Sequence, residues 1–212
     1  MLGNMKQQMK SQWMEAARLA GIQLAEALEF WPRIQQYYGQ KHRHYHKLEH
    51  IAELLHWASR LEAHIEQPQA VHLAIWFHDL IYLPHKQNNE AQSARLARRL
   101  MQQWGLPAQL VSTVEQMILS TAGHQPRLES HDCRLFLDMD LAILGSTAAE
   151  YQAYCLAIRQ EYRLYPDFLY QKGRKHILKH FLQRPHIYFT APMRQQLEQR
   201  ARENMQREYE SL

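Results

Sequence analysis

His78 and Asp79 stand side by side at the end of the apolar run Val71-His-Leu-Ala-Ile-Trp-Phe77, with Leu80-Ile81-Tyr82 following. An imidazole and a carboxylate in such surroundings are costly to desolvate unless something pairs with them. A divalent metal would satisfy both at once. The pair also leaves open a plainer reading, in which the two side chains satisfy each other and nearby backbone. His46 and His50 are four residues apart, which on a helix brings them to nearly one face, offset by about 40°. Asp138 and Asp140 interrupt a further apolar stretch, Phe136-Leu-Asp-Met-Asp-Leu-Ala-Ile-Leu-Gly145. Imidazoles and carboxylates are the ligands taken by a divalent cation that favours oxygen and nitrogen, and carboxylate charge offsets its own. The chain carries 14 histidines in 212 residues. Three such intrusions into apolar helices point to metal chemistry more than to unrelated, individually satisfied polar groups. The basic run Lys41-His42-Arg43-His44 either attracts a small phosphorylated ligand or forms an exposed turn.

The elements that must position these groups read as helices almost throughout. Trp13, Ala16, Ala17, Ala20, Leu24, Ala27 and Leu28 recur at three-to-four spacing and predict a first amphipathic helix. Pro32 suits the first turn of a short segment that Gly39 closes. A helix from about His46 to Ile65 carries Ile51, Leu54, Leu55, Ala58 and Leu61 on one side, and Pro68 opens the helix holding His78-Asp79. Asn88 or Asn89 caps a helix to Trp104, stopped by Gly105, and Pro107 starts one reaching about Thr121. Further helices are predicted over 132–144, 147–165, 167–182 and from Pro192 to near the end. Thr147 with Glu150 forms a capping box. The alternation expected of strands is nearly absent, so the fold class is all-α.

Composition narrows the function classes. Hydrophobic residues make up 46% and charged residues 22%, ordinary values for a soluble domain, and only 7 glycines occur, with no linker-like tract. The length suits one domain with a substantial core. The net charge of +4 is mild and mixed with acid, as in Arg194-Gln-Gln-Leu-Glu-Gln-Arg-Ala-Arg-Glu203, so no nucleic-acid partner is expected. No apolar stretch approaches a membrane span, and the N-terminus lacks a secretory core, so neither membrane nor export is expected. Cys133 and Cys155 lack metal-site spacing and read as reduced thiols, consistent with a cytoplasmic protein.

The order His50, His78-Asp79, Asp140 resembles the HD superfamily of metal-dependent phosphohydrolases, most closely a small, uncharacterised bacterial group of predicted HD phosphohydrolases. The resemblance runs through Arg43-His-Tyr-His-Lys-Leu-Glu-His-Ile51, Phe77-His-Asp-Leu-Ile-Tyr82, Asn89-Glu-Ala-Gln-Ser-Ala94, Asp138-Met-Asp-Leu-Ala-Ile-Leu-Gly145, Ile158-Arg-Gln-Glu-Tyr162 and Gly173-Arg174. It implies an HD-domain-like helical bundle with additional N- and C-terminal helices. Residues 1–212 would form a single HD-type domain, with a metal-binding core at about 40–183 and helices 10–39 and 190–211 packed on it. It further implies one divalent metal ion (Mn, Mg, Co, Ni, Fe or Zn) held by His50, His78, Asp79 and Asp140, with room for a second. Asp140 is preferred to Asp138 because the apolar tail follows it in the matching position.

Under that resemblance the activity is hydrolysis of a phosphate ester, through a metal-activated water, on a nucleotide or another small phosphorylated metabolite. His78, Asp79 and His124 are the catalytic candidates. His124 would orient substrate, protonate a leaving group or bind a second metal; its plainer role is to cap a helix end. Arg43, His46, Glu90, Asp138, Arg159 and Arg174 are candidates for contacting substrate or supporting the ligands, Glu90 by hydrogen-bonding a ligand imidazole. Arg159 and Arg174 fit a structural ion-pair network equally well. Three alternatives are carried: a non-catalytic metal- or nucleotide-binding helical protein, a di-iron HD-type oxygenase drawing on His85, His124 and His131, and a zinc protease. The last rests on His46-Lys-Leu-Glu-His50, which matches H-x-x-E-H but leaves His78-Asp79 and Asp140 unexplained.

Overall fold

The computed structural model describes residues 2–212, with side chains from Met5 onward. Among the described residues there are ten α-helices and no strand. They are α1 (Leu2–Ala20), α2 (Leu24–Tyr38), α3 (Leu48–Arg60), α4 (Pro68–Phe77), α5 (Asn89–Gln103), α6 (Ala108–Ser120), α7 (His131–Asp140), α8 (Ala148–Glu161), α9 (Asp167–Leu182) and α10 (Ala191–Ser211), with 3-10 turns at Glu62–His64 and Ala142–Gly145. No helix among the described residues is long and apolar enough to cross a membrane.

The predicted first helix is two helices. Gly21, at φ +82°, breaks the chain between α1 and α2. The apolar spacing stays in phase across this break, which hides it from a periodicity reading. Trp13, Ala16, Ala17 and Ala20 are buried as expected, but Leu24 and Leu28 are exposed. α2 instead buries Ala27, Phe30, Trp31, Ile34 and Tyr38. Pro32 sits inside α2 rather than in its first turn. It removes the backbone bond to the carbonyl of Leu28, a residue exposed enough for water to replace it. The capping box of α8 forms as predicted, with Thr147 and Glu150 bonded reciprocally.

The chain divides into two compact units, residues 1–136 and 137–212, and the division falls inside α7. In the first unit the core is aromatic. The indole of Trp13 meets the rings of Phe30, Trp76, Phe77 and Trp104 at centroid distances of 5.7–6.2 Å. Its Nε1–H donates to the Ala27 carbonyl at 2.8 Å, so the one polar atom of that side chain is satisfied within the core. This cluster locks α4 against α1 and α2. The other end of α4 is also fixed. Both carboxylate oxygens of buried Asp132, in the first turn of α7, accept the backbone N–H groups of Glu66 and Gln67 at 2.9 and 2.7 Å. A helix start leaves N–H groups without internal partners, and an acidic group there is doubly favourable.

In the second unit the 3-10 turn Ala142–Gly145 lies against α10. The side-chain amide of Asn204 donates to the carbonyls of Leu144 and Ser146, and the Tyr188 hydroxyl donates to that of Leu141. Buried Arg174 on α9 forms a two-pronged pair with Glu208 on α10 and also donates to the Tyr154 hydroxyl.

Candidate metal centre

α4 ends at Phe77, one residue short of the predicted pair. His78 occupies its C-cap and Asp79 the turn that follows. The His78 Nδ1 lies 2.9 Å from the carbonyl of Ile75. A carbonyl only accepts, so Nδ1 carries the proton and Nε2 of the neutral ring presents a lone pair. That is the arrangement in which a ligand histidine is normally fixed.

The lone pair faces two further groups. His50 Nε2 is 3.3 Å away and Asp79 Oδ2 is 3.2 Å away, while His50 Nε2 and Asp79 Oδ2 are 3.8 Å apart. Both histidines are buried. His50 comes from α3, whose buried face carries Ile51, Leu54, Leu55 and Ala58 as predicted. Donor atoms sharing one ion at about 2.0–2.2 Å sit roughly 3 to 3.6 Å apart; both spacings from His78 fall in that range, and the 3.8 Å between His50 and Asp79 is slightly longer. Burial pushes the Asp79 carboxyl up, but positive charge on His78, His46 and His50 whenever those rings are protonated, with a hydrogen bond from His78, outweighs it and holds the group well below the usual carboxylate range. Asp79 is therefore a carboxylate, as a ligand must be.

α7 supplies the remaining acid. The Phe136 ring meets that of His78 edge-on at 5.8 Å. Asp140 lies one turn further along the same helix, on the same face. One ligand atom each from His50, His78 and Asp140 all lie within 4.8 Å of one another. This His/Asp group could hold a metal ion, and its mixed nitrogen and oxygen donors fit a divalent cation of borderline hardness.

Asp138 has different work. Its oxygens accept from the backbone N–H groups of Phe189 and Thr190 and from the Thr190 hydroxyl, each at 2.7 Å, at the entry to α10. Burial pushes its carboxyl up to about 6, against the pull of those three donors.

His46 precedes α3 rather than lying on it, since the helix starts at Leu48. Its ring nevertheless stands 5.8 Å from that of His50 and stacks on Tyr82 at 4.1 Å. Arg43, part of a segment read as either a phosphate lure or an exposed turn, is buried and donates to the carbonyls of His46, Asp79 and Leu80. Glu90 is half-buried in the first turn of α5. Arg159 pairs with Asp167 and donates to the carbonyls of Tyr162 and Tyr165, tying the connection between α8 and α9. Arg174 is committed to Glu208. His124 lies in the turn after α6 at φ +51°, a left-handed conformation that follows Gly123 at φ +80°. Glu49, the would-be base of the H-x-x-E-H reading, is exposed beside buried His50. Cys133 and Cys155 are free thiols. Sequence reasoning missed the bond from His42 Nε2 to the Tyr82 carbonyl, at 2.7 Å, and the carbonyl partners of Arg43; no spacing rule links residues about 40 positions apart.

Scans against models of known families, against curated proteins and against solved structures find no match.

Proposed function

We propose that this chain is an HD-type metal-dependent phosphohydrolase acting on a nucleotide or another small phosphorylated metabolite. The observation that carries the proposal is the convergence of three donor atoms from two segments, the start of α3 and the end of α4. The His78 lone pair, His50 Nε2 and Asp79 Oδ2 face one another at 3.2–3.8 Å. With Asp140 they follow the order the family resemblance implies. His50, His78, Asp79 and Asp140 would hold the ion. Such an ion, when bound, acidifies water toward neutrality and polarises a phosphoryl oxygen.

The chain's own groups would do the rest. Asp79 and Asp140 bring negative charge that keeps a cation in place, and the Ile75 carbonyl holds His78 in the ligating tautomer. Half-buried His46, stacked on Tyr82, offers an imidazole N–H toward a non-bridging phosphate oxygen. His124, held in a left-handed turn, is the candidate to return a proton to the leaving oxygen. The free thiols suit a reducing cytoplasm.

Metal analysis of the purified protein, joined to a phosphate-release screen over nucleotides and sugar phosphates, tests the proposal. Stoichiometric divalent metal and turnover lost in Asp79→Ala are expected. Absence of any divalent metal with all four ligands intact overturns it, and metal without turnover would leave a binding protein.

A further inference from the structure

Arg43 is a cation with only 3% of its surface exposed. Its guanidinium is spent almost wholly on main chain. Nη1–H groups donate to the carbonyls of His46 at 3.0 Å and Asp79 at 2.7 Å, Nη2–H to that of Leu80 at 2.9 Å, and Nε–H to the Gln40 side chain at 3.1 Å. The planar group also lies over the rings of Tyr38 and Tyr82, at 5.2 and 5.5 Å. These contacts join two stretches of chain with a shared property. One, ending at His46, leads directly into α3 and His50. The other, Asp79-Leu80, leaves α4 directly after His78. The three carbonyls lie in turns outside the helices, where no backbone N–H among the described residues takes them, and a single arginine gathers them. His42 reinforces the join through the Tyr82 carbonyl, and His46 through its stacking on the Tyr82 ring.

We propose that Arg43 is a positioning residue: its fork clips the start of α3 to the end of α4 and thereby sets the separation of the His50 and His78 donor atoms and the place of Asp79. The inference rests on the metal-binding reading above. Four directed bonds from one planar group fix both distance and rotation between the two segments. A lysine at this position keeps the charge but can neither span three carbonyls in one plane nor stack between two tyrosines. Supporting groups of this kind typically govern metal affinity by about 10- to 100-fold when removed.

The experiment compares wild type, Arg43→Lys and Arg98→Lys, the last altering an exposed arginine paired with Glu115. Cobalt(II) is titrated by its visible absorption, and the histidine ring nitrogens of metal-free protein are followed by NMR. Arg43→Lys is expected to keep wild-type helical content, to bind cobalt at least tenfold more weakly with an altered absorption band, and to shift the His50 and His78 ring signals. Arg98→Lys should match wild type in all three. Should Arg43→Lys fail to fold, Gln40→Ala replaces it; this variant removes only the Nε partner and should weaken cobalt binding two- to threefold with the same ring signals moved. Wild-type cobalt affinity and unmoved ring signals in a folded variant overturn the inference. If wild type itself binds no cobalt, the metal reading fails, and Arg43 is then judged by the ring signals alone.

Discussion

The Nε2 atoms of His50 and His78 lie 3.3 Å apart inside the protein, a separation at which one cation could bind both. A shared cation would add stability by mass action. At a free metal concentration of 100 times Kd that gain is about 2.7 kcal/mol, or roughly 5–10 °C in Tm for a chain of this size. Thermal unfolding with added manganese, cobalt or zinc should therefore shift upward and return on chelation. In His50→Ala and His78→Ala the shift should vanish. A wild-type melting curve indifferent to every divalent ion would remove the basis for the site.

Asp138 and Asp140 are two residues apart, and their removal should fail in opposite ways. Asp138→Ala strips three hydrogen-bond partners from the entry to α10 and leaves buried N–H groups unsatisfied. The expected cost is roughly 2–3 kcal/mol of stability, with metal binding preserved in the folded fraction. Asp140→Ala should melt like metal-free wild type and lose metal affinity. Paired melting and metal titrations on the two variants decide the point. The reverse pattern would move the ligand assignment to Asp138.

What could be read in advance follows from how local the physics is. The α3 face, the capping box at Thr147 and the helix stops at Gly39 and Gly105 are set by neighbours three or four positions away, so spacing reveals them. The His50, His78 and Asp140 group was legible because ionisable groups inside apolar runs are costly and therefore conspicuous. Other features depend on contacts far along the chain. Asp132 caps backbone 65 residues earlier, and Arg43 gathers carbonyls 36 positions later. Their partners are main-chain atoms, which every residue has, so no residue type marks them. The same limit explains why Arg159 and Arg174 read equally well as phosphate contacts or ion pairs.

Gly145 closes the Asp140-Leu-Ala-Ile-Leu-Gly segment for a steric reason. A Cβ built there would lie 2.6 Å from the Leu197 Cβ and 2.8 Å from the Leu197 carbonyl oxygen on α10. Backbone cannot swing aside as a side chain can. Gly145→Ala should cost about 1–3 kcal/mol, measured by urea unfolding. An alanine variant as stable as wild type would show that α10 can yield at this contact.

His124 holds a left-handed backbone at φ +51°, which costs a side-chain-bearing residue about 1–2 kcal/mol relative to glycine. If its imidazole serves turnover, His124→Gly should match or exceed wild type in Tm while phosphate release falls by two to four orders of magnitude, the range typical of a lost acid or base. Full activity in the glycine variant would reduce His124 to a turn residue.

Glu208 makes the second unit sensitive to acid. Burial raises its pKa, but the hydrogen bonds and charge of Arg174, with the Tyr151 hydroxyl, outweigh that and hold it below its ordinary value of 4.5. A carboxylate with a depressed folded pKa binds fewer protons folded than unfolded, so its stabilisation is complete above about pH 4.5 and is lost as pH falls through the folded value. Removing one partner of a buried pair strands the other, here Arg174, at a cost of about 3–5 kcal/mol. Glu208→Gln should therefore melt well below wild type at pH 7. The gap should narrow as the pH drops from 5 to 3, because wild type loses by protonation what the variant already lacks. Parallel Tm curves for the two proteins over that range would show that the Arg174 pair contributes nothing to acid stability.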